Sequence, residues 1–421
     1  MIVYELETLV ALARARTPYY RALYAGVPDS GWTLADLPPV DSKTFWDAAE
    51  TGAVLTGQMT DGTAFKSGGT TGKPKFSIYR ASEWDSFCEV FGRGMAAGGL
   101  HPGERLANLF YAGDLYASFL FITHSLERCG VPVVHFPLAG RVDADMLHHT
   151  VAHFAVETLA GVPTTLLGLA ATLADEGVTL PSVRRLLFGG ETLYPDQAVT
   201  LRRVFPNART ASVGYASVDA GLLGYASPDC GWNEHRVFGT ATLMELIDES
   251  SGEPITAPGR PGKVLITNLT RLLMPVIRYP AGDRAEWVEP EGTPDRKFRL
   301  LGRSEEGARI GVVSLYFEDV HAVLEPFQAE LNASGFQLLI QHHDQRDELT
   351  VRIAAPLPAE AQAAWNERLA EALYAARPLL REEQQRGTIH PPCFEWVASG
   401  ALAINPRTGK LKPIIDRRIT G

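Results

Sequence analysis

Cysteine is scarce in this chain. The four thiols, Cys88, Cys129, Cys230 and Cys393, are widely scattered and form no C-x-x-C pair. That spacing supports neither a disulfide framework nor a structural zinc site, and reads as reduced thiols in a core. Long apolar runs are missing too, since no uninterrupted stretch reaches membrane-spanning length. The first residues, Met1 to Glu7, are acidic where a secretory signal would be basic and then apolar, so the expected location is cytoplasmic. Positive charge is the minority: 39 Lys and Arg stand against 49 Asp and Glu, a net −10. This argues against a general nucleic-acid or anionic-membrane partner, and an anionic substrate would need a local basic site. No internal repeat or low-complexity tract is present.

What remains is ordinary globular material, 45% hydrophobic and 21% charged over 421 residues, enough for two or three domains. Apolar spacing predicts a helix over residues 2–16, broken at Thr17-Pro18. Asp41 or Ser42 should cap a helix beginning near Thr44. Another helix is expected from Ala81 to Gly98, with Ser82 as its cap. From residue 101 strands and helices alternate. Strands are expected at 104–111, 131–136, 156–160, 183–188 and 209–213, with helices at 114–129, 143–153, 163–175 and 195–205. This predicts an α/β protein with a mostly parallel sheet, whose ligands bind at the carboxyl ends of its strands. After about residue 235 the texture turns to β, with strands at 238–247, 262–268, 276–279 and 298–302. Beyond Arg303 a hairpin at 336–341 and 348–353 and an Ala-rich helix at 358–378 suggest a separate α+β domain. The expected division is a large domain at 1–303 and a small one at 304–421.

The densest chemistry lies between Lys66 and Phe76, where three glycines, three hydroxyls and three lysines occur within eleven residues. Glycines let backbone N–H groups approach an anion closely, and hydroxyls and ammonium groups add donors and charge. By composition this is a phosphate cradle. It is not a Walker A loop, because Ser67 stands at the first glycine and Pro74 follows Lys73. A Gly/Thr hairpin turn with a return strand at 76–79 is the structural alternative.

Five further segments follow in order: Phe188-Gly-Gly-Glu-Thr192, Val213-Gly-Tyr-Ala-Ser-Val-Asp219, Arg278-Tyr-Pro-Ala-Gly-Asp283, Leu301-Gly-Arg-Ser-Glu305 and Asn405-Pro-Arg-Thr-Gly-Lys-Leu-Lys412. Singly, each serves as a turn, a helix entry or a surface hairpin. Together with the glycine-rich loop, and in this order, they resemble the adenylate-forming superfamily of acyl-CoA synthetases and adenylation domains, above all its phenylacetate–CoA ligase type. The resemblance covers roughly residues 15 to 418. It implies a two-step reaction in which a carboxylate attacks the α-phosphorus of ATP and a nucleophile, commonly the coenzyme A thiol, then displaces AMP.

Carried onto this sequence, the resemblance assigns Ser67, Gly68, Gly69, Thr71, Gly72 and Lys73 to the phosphates, with Thr70 and Lys75 among the catalytic groups. Gly189, Gly190 and Glu191 would border the adenine, Tyr215 would stack on it, and Ala216 would adjoin it. Asp283 would accept hydrogen bonds from the ribose, with Arg303 nearby. Asp219 would help bind Mg²⁺, Glu305 would belong to the hinge, and the small domain would be mobile. Lys410 would bridge substrate and α-phosphate, with Lys412 as its rival.

Two departures stand out. The family's Tyr-Gly-x-Ser/Thr-Glu reads Tyr215-Ala-Ser-Val-Asp219 here, and Ser304-Glu305-Glu306 replaces the usual Asp-Asp hinge. Asp219 is one methylene shorter than glutamate but keeps the hard oxygen that Mg²⁺ prefers.

The family's acid pocket maps to Tyr111, Gly113, Asp114, Tyr116, Phe136, Gly161 and Gly214, which suits an aryl or short hydrophobic acid. Asp114 is expected either to cap the following helix or to meet a polar substituent of the substrate. A carrier-protein phosphopantetheine or an amine is the alternative acceptor, and a non-catalytic nucleotide-binding module is the alternative from another class. Family members are often homodimers.

Overall fold

The computed structural model describes the chain apart from residues 68–74, 141, 192, 194, 249–250, 304–306, 312, 345, 405–409 and 419–421. Only the backbone of Ser67, Pro195, Asp196, Arg303, Gly307, Arg309, Ser314 and Ser399 is described. Two compact units form, Met1–Leu193 with Thr200–Gly302, and Arg303–Gly421 with Tyr194–Val199.

The first unit begins with helices α1 (Leu6–Arg16), α2 (Pro18–Leu23) and α3 (Ser42–Glu50). Pro18 restarts the helix after Thr17, whose hydroxyl accepts the Tyr20 N–H. Asp41 caps α3 by accepting the Thr44 N–H at 2.9 Å, an interaction worth about 1 kcal/mol. A hairpin of β1 (Thr63–Ser67) and β2 (Lys75–Tyr79) flanks the glycine-rich segment, and α4 (Ala81–Ala97) follows. Ser82 does not cap α4. Glu83 does, accepting the Arg80 N–H at 2.9 Å. The other Glu83 oxygen takes the Leu272 and Leu273 N–H groups at 2.7 Å each, which compensates the burial of this carboxylate.

The α/β alternation then appears as expected. Strands β3 (Arg105–Asn108), β4 (Val134–Pro137), β5 (Thr158–Gly161), β6 (Arg185–Phe188) and β7 (Arg209–Ser212) form a five-stranded parallel sheet in the order β4-β3-β5-β6-β7. Between them run α5 (Ser118–Glu127), α6 (Ala144–Phe154), α7 (Pro163–Asp175) and α8 (Pro195–Leu201). β5 is buried along its whole length, as a central parallel strand covered on both faces must be.

A second sheet follows from β8 (Tyr215–Ser217), β9 (Gly221–Tyr225), β10 (Glu234–Val237), β11 (Thr242–Ile247), β12 (Gly262–Asn268), β13 (Tyr279–Trp287) and β14 (Lys297–Arg303). Its order is β11-β12-β13-β14-β10-β9-β8. The strand expected at 276–279 starts only at Tyr279. Arg278 takes a left-handed backbone (φ +47°) and its buried guanidinium pairs with Glu245 at 2.9 Å, so this segment is an anchor outside the ladder.

The second unit contains the hairpin β15 (Gly307–Ile310) and β16 (Val313–Tyr316), helix α9 (Phe317–Leu324), and β17 (Gly335–His343) paired with β18 (Arg346–Ala354). Strands β19 (Cys393–Val397) and β20 (Ile414–Asp416) add to β18 and β17 in parallel, giving the order β19-β18-β17-β20. A core of its own, with Leu338, Ile340, Val351, Ile353, Leu369 and Leu373, lies under this sheet.

Candidate active site

The five parallel strands end at Asn108, Pro137, Gly161, Phe188 and Ser212, and four of the five hand over directly to a candidate segment or contain one of its residues. Phe188 and Ser212 are direct partners across the ladder. Gly189–Glu191 and Gly214–Ala216 therefore leave the sheet side by side at its carboxyl edge, the customary ligand crevice of such sheets. Glycine is required at both exits. A Cβ on Gly189 would come within 2.7 Å of Val213 Cγ1, and Gly214 has φ +128° with Phe91 at 2.7 Å from its missing Cβ. Gly190 is also left-handed, at φ +78°.

The Glu191 carboxylate faces α7. It accepts the N–H and the hydroxyl of Thr164 at 3.0 and 2.7 Å, where a negative charge suits the first turn of a helix. An adenine-bordering role for this residue therefore falls to its backbone.

Across the crevice, the Tyr215 hydroxyl hydrogen-bonds the Asp283 carboxylate on β13, joining two residues that are 68 positions apart in the sequence but neighbours in space. Sequence reasoning did not single out the residue that sets this turn, His235. Its Nε2 lies 2.8 Å from Ser212 Oγ, and the same oxygen accepts the Gly214 N–H at 3.1 Å. The ring packs between Tyr215 and Phe298, and burial holds the imidazole down to about 4, so it is neutral near pH 7. No motif marks it in the sequence, since a histidine on a short strand has no distinctive spacing.

Gly68, Gly69, Thr70, Thr71, Gly72 and Lys73, the residues expected at the phosphates, lie outside the described residues, as do Glu305 and the side chains of Ser67 and Arg303. The hairpin that carries the loop is described, and three contacts fix it to the Tyr215–Asp219 segment. Lys75 Nζ stands 3.9 Å from Asp219 Oδ2. The Tyr79 hydroxyl donates to the Val218 carbonyl at 2.9 Å. Arg271, fully buried, stacks its guanidinium 4.2 Å from the Tyr79 ring centroid and donates to the Asp219 carbonyl at 2.9 Å. Burial also pushes the Tyr79 hydroxyl up to about 12, keeping it a donor. Arg271 is a second residue that sequence reasoning missed.

Asp219 is suited to hold Mg²⁺. It offers a carboxylate, the hard donor that ion prefers, with 16% of the side chain open to solvent beside the β1–β2 hairpin. Mg²⁺ is commonly held by one or two carboxylates plus water and phosphate oxygens, so a single protein ligand is compatible.

Candidate acid-pocket residues fall into two groups. Tyr111 and Tyr116 meet edge to face at 5.8 Å across a tight turn containing Gly113, Asp114 and Leu115, all left-handed. Asp114 does not cap the next helix, which begins later than expected, at Ser118. Its carboxylate instead takes Lys66 Nζ at 2.8 Å, tying the turn to β1. Gly161 backs onto Leu109, and the Phe136 ring packs against Phe154 of α6 at 5.2 Å, so neither is tied by these contacts to the tyrosine pair. His135 beside it lines a small cavity near the end of α5 together with Leu126 and Val131. In the second unit Lys410 is half-buried and precedes the Ile404–Leu411 bridge.

Residues 66–271 match the model of the AMP-binding enzyme family. The phenylacetate–coenzyme A ligase of Thermus thermophilus is 27% identical over 84% of this chain and 80% of its own length. By these matches the chain resembles the adenylate-forming, phenylacetate–CoA ligase-like proteins. The Escherichia coli phenylacetate–coenzyme A ligase is 24% identical over 81% of this chain and 78% of its own length. A crystal structure of a 2-hydroxyisobutyryl-CoA ligase bound to its acyl-AMP superposes with a TM-score of 0.79 at 18% identity, covering 98% of this chain and 88% of that one. This establishes the shared fold. No helix among the described residues of this phenylacetate–CoA ligase-like chain is long and apolar enough to cross a membrane.

Proposed function

We propose that the chain activates a carboxylic acid with ATP, releasing pyrophosphate, and transfers the acyl group from the resulting acyl-adenylate to the coenzyme A thiol with release of AMP. The observation that carries this reading is the meeting of Lys75, Asp219 and the Tyr215–Asp283 pair beside the Gly189–Glu191 exit, within the segment matched to AMP-binding enzymes. Attack by one anion on another needs positive charge and N–H donors organised in advance around the phosphates. The loop at 67–75 supplies these, Asp219 holds Mg²⁺, Asp283 receives the ribose hydroxyls with Arg303, and Tyr215 packs on the base. Lys410 bridges the acid and the α-phosphate. The acid lies by Tyr111 and Tyr116, whose edge-to-face rings favour an aryl or short hydrophobic substrate. The large domain binds ATP and acid, and the small domain turns about Glu305 between the two steps.

The test is pyrophosphate exchange with ATP and Mg²⁺ across aryl, hydroxy and fatty acids, followed by addition of coenzyme A. Acid-dependent exchange and an acyl-CoA product are expected. ATP binding without exchange for any acid would leave a nucleotide-binding module. A second reading, transfer to an amine, draws on the indoleacetate–lysine synthetase of Pseudomonas savastanoi, 28% identical over 52% of this chain and 51% of its own length. An amide formed from supplied lysine, without thioester formation, would favour it.

A further inference from the structure

The second unit carries a group of metal-ligating side chains that the reaction does not use. His343 closes β17, Asp344 follows it in the turn, and His390 lies just before β19. Each offers one donor atom, and these atoms lie within 4.8 Å of one another. We propose that His343, Asp344 and His390 form a binding site for a divalent transition ion of the zinc, cobalt or nickel class.

The backbone prepares the site. β17 and β18 pair along nine positions each, from Gly335–Ala354 to His343–Arg346. Asp344 takes a left-handed conformation (φ +48°), which Asp tolerates better than most residues, and this turns the chain straight after His343. Ile389, buried in the core, bridges to Asp347, and the His390 N–H donates to the Asp347 carbonyl at 2.9 Å. The two imidazoles consequently stack at 4.1 Å with an interplanar angle of 21°.

The hydrogen bonds around the rings are those of metal-bound histidines. A ligating imidazole generally donates its other N–H to a carboxylate or a backbone carbonyl, fixing which nitrogen keeps the lone pair. His343 Nε2 lies 3.1 Å from Glu348 Oε2, and His390 Nε2 lies 3.1 Å from the His343 carbonyl oxygen. Both bonds assign the N–H to Nε2 and leave the Nδ1 lone pair for an ion. His343 Nδ1 and Asp344 Oδ2 stand 3.3 Å apart. Bonds of about 2.0–2.1 Å to a tetrahedral ion put adjacent ligands at about 3.3–3.4 Å, so an ion can replace the proton shared by this pair. Two imidazoles and one carboxylate select zinc-like ions over Mg²⁺, which prefers oxygen ligands and water. With His343 and Asp344 exposed, water completes the coordination. Asp347, the nearby alternative, is occupied by Arg418 at 2.7 Å, the Gly311 N–H at 2.9 Å and His342 at 2.6 Å.

The experiment titrates the tag-free full chain with Co²⁺ in excess Mg²⁺, following visible absorption, and then displaces the cobalt with Zn²⁺. One equivalent with a d–d band is expected. His343→Ala and His390→Ala should abolish the band, and Glu348→Ala, which removes the orienting carboxylate but no ligand, should weaken binding about tenfold or more. Circular dichroism of each variant checks that it is folded. His153→Ala, which breaks the other stacked histidine pair, His149 and His153 on α6, should change nothing. No band at saturating cobalt, a band that survives His343→Ala, or loss of binding in His153→Ala each overturns the assignment.

Discussion

His235 illustrates how a single buried residue positions the turn that leads into Tyr215. Its imidazole holds Ser212, and Ser212 holds the Gly214 N–H immediately before Tyr215. Burial lowers its pKa from 6.5 to about 4, so the unfolded chain binds more protons than the folded chain between those values. The stabilisation from a neutral His235 is therefore complete above pH 6.5 and is lost as pH falls through 4. With roughly 1.4 kcal/mol per pKa unit, this one site removes about 3 kcal/mol over that interval. The melting temperature of His235→Gln should accordingly fall less between pH 6.5 and 4 than that of the parent protein. Parallel melting curves for the two proteins would rule this out.

At the scale of elements, the hairpin of β1 and β2 is held to the Asp219 segment from several sides. Lys75 meets the Asp219 carboxylate, Tyr79 meets the Val218 carbonyl, and Arg271 reaches both the Tyr79 ring and the Asp219 carbonyl. Arg271→Met keeps apolar bulk but removes the cation–π contact and the donor to the part-buried Asp219 carbonyl. An unsatisfied acceptor costs about 1–3 kcal/mol when fully buried, an upper limit here, and a desolvated cation–π contact about 2 kcal/mol. A lower melting temperature is expected, together with slower pyrophosphate exchange, because the Asp219 backbone loses its support. An unchanged melting temperature with full exchange activity would show that Arg271 is dispensable to this element.

Long elements were the easiest to read. Pro163 set the start of α7 and Asp143 capped α6, as local chemistry predicts. Short strands were harder: β8, β9 and β10 have three to five residues each, too few for periodicity to stand out. The Ser82 expectation failed because α4 begins one residue before it, at Ala81, so Ser82 lies inside the first turn and the neighbouring Glu83 carboxylate does the capping.

For the molecule as a whole, the residue proposed to be decisive for the first step belongs to the second unit. Lys410 is proposed to act only in adenylation. Lys410→Ala should lower acid-dependent exchange by about a hundredfold or more, as loss of a transition-state charge contact does, while acyl transfer from supplied acyl-adenylate to coenzyme A stays within a few-fold of the parent. Equal losses in the two half-reactions would remove Lys410 from that role and turn attention to Lys412.

The sequence by itself determined the α/β alternation, the small α+β region after Arg303 and the ordered segments that place the chain among adenylate-forming proteins. Those features depend on periodicity, capping and short-range motifs, which are local. Only the tertiary structure decided that Asp114 pairs with Lys66, that the Glu191 carboxylate serves α7, and that His235 and Arg271 support the segment from Ser212 to Asp219. Each of these pairings joins side chains far apart in the chain, and the choice of partner follows from which strands become neighbours in a sheet and which faces are buried.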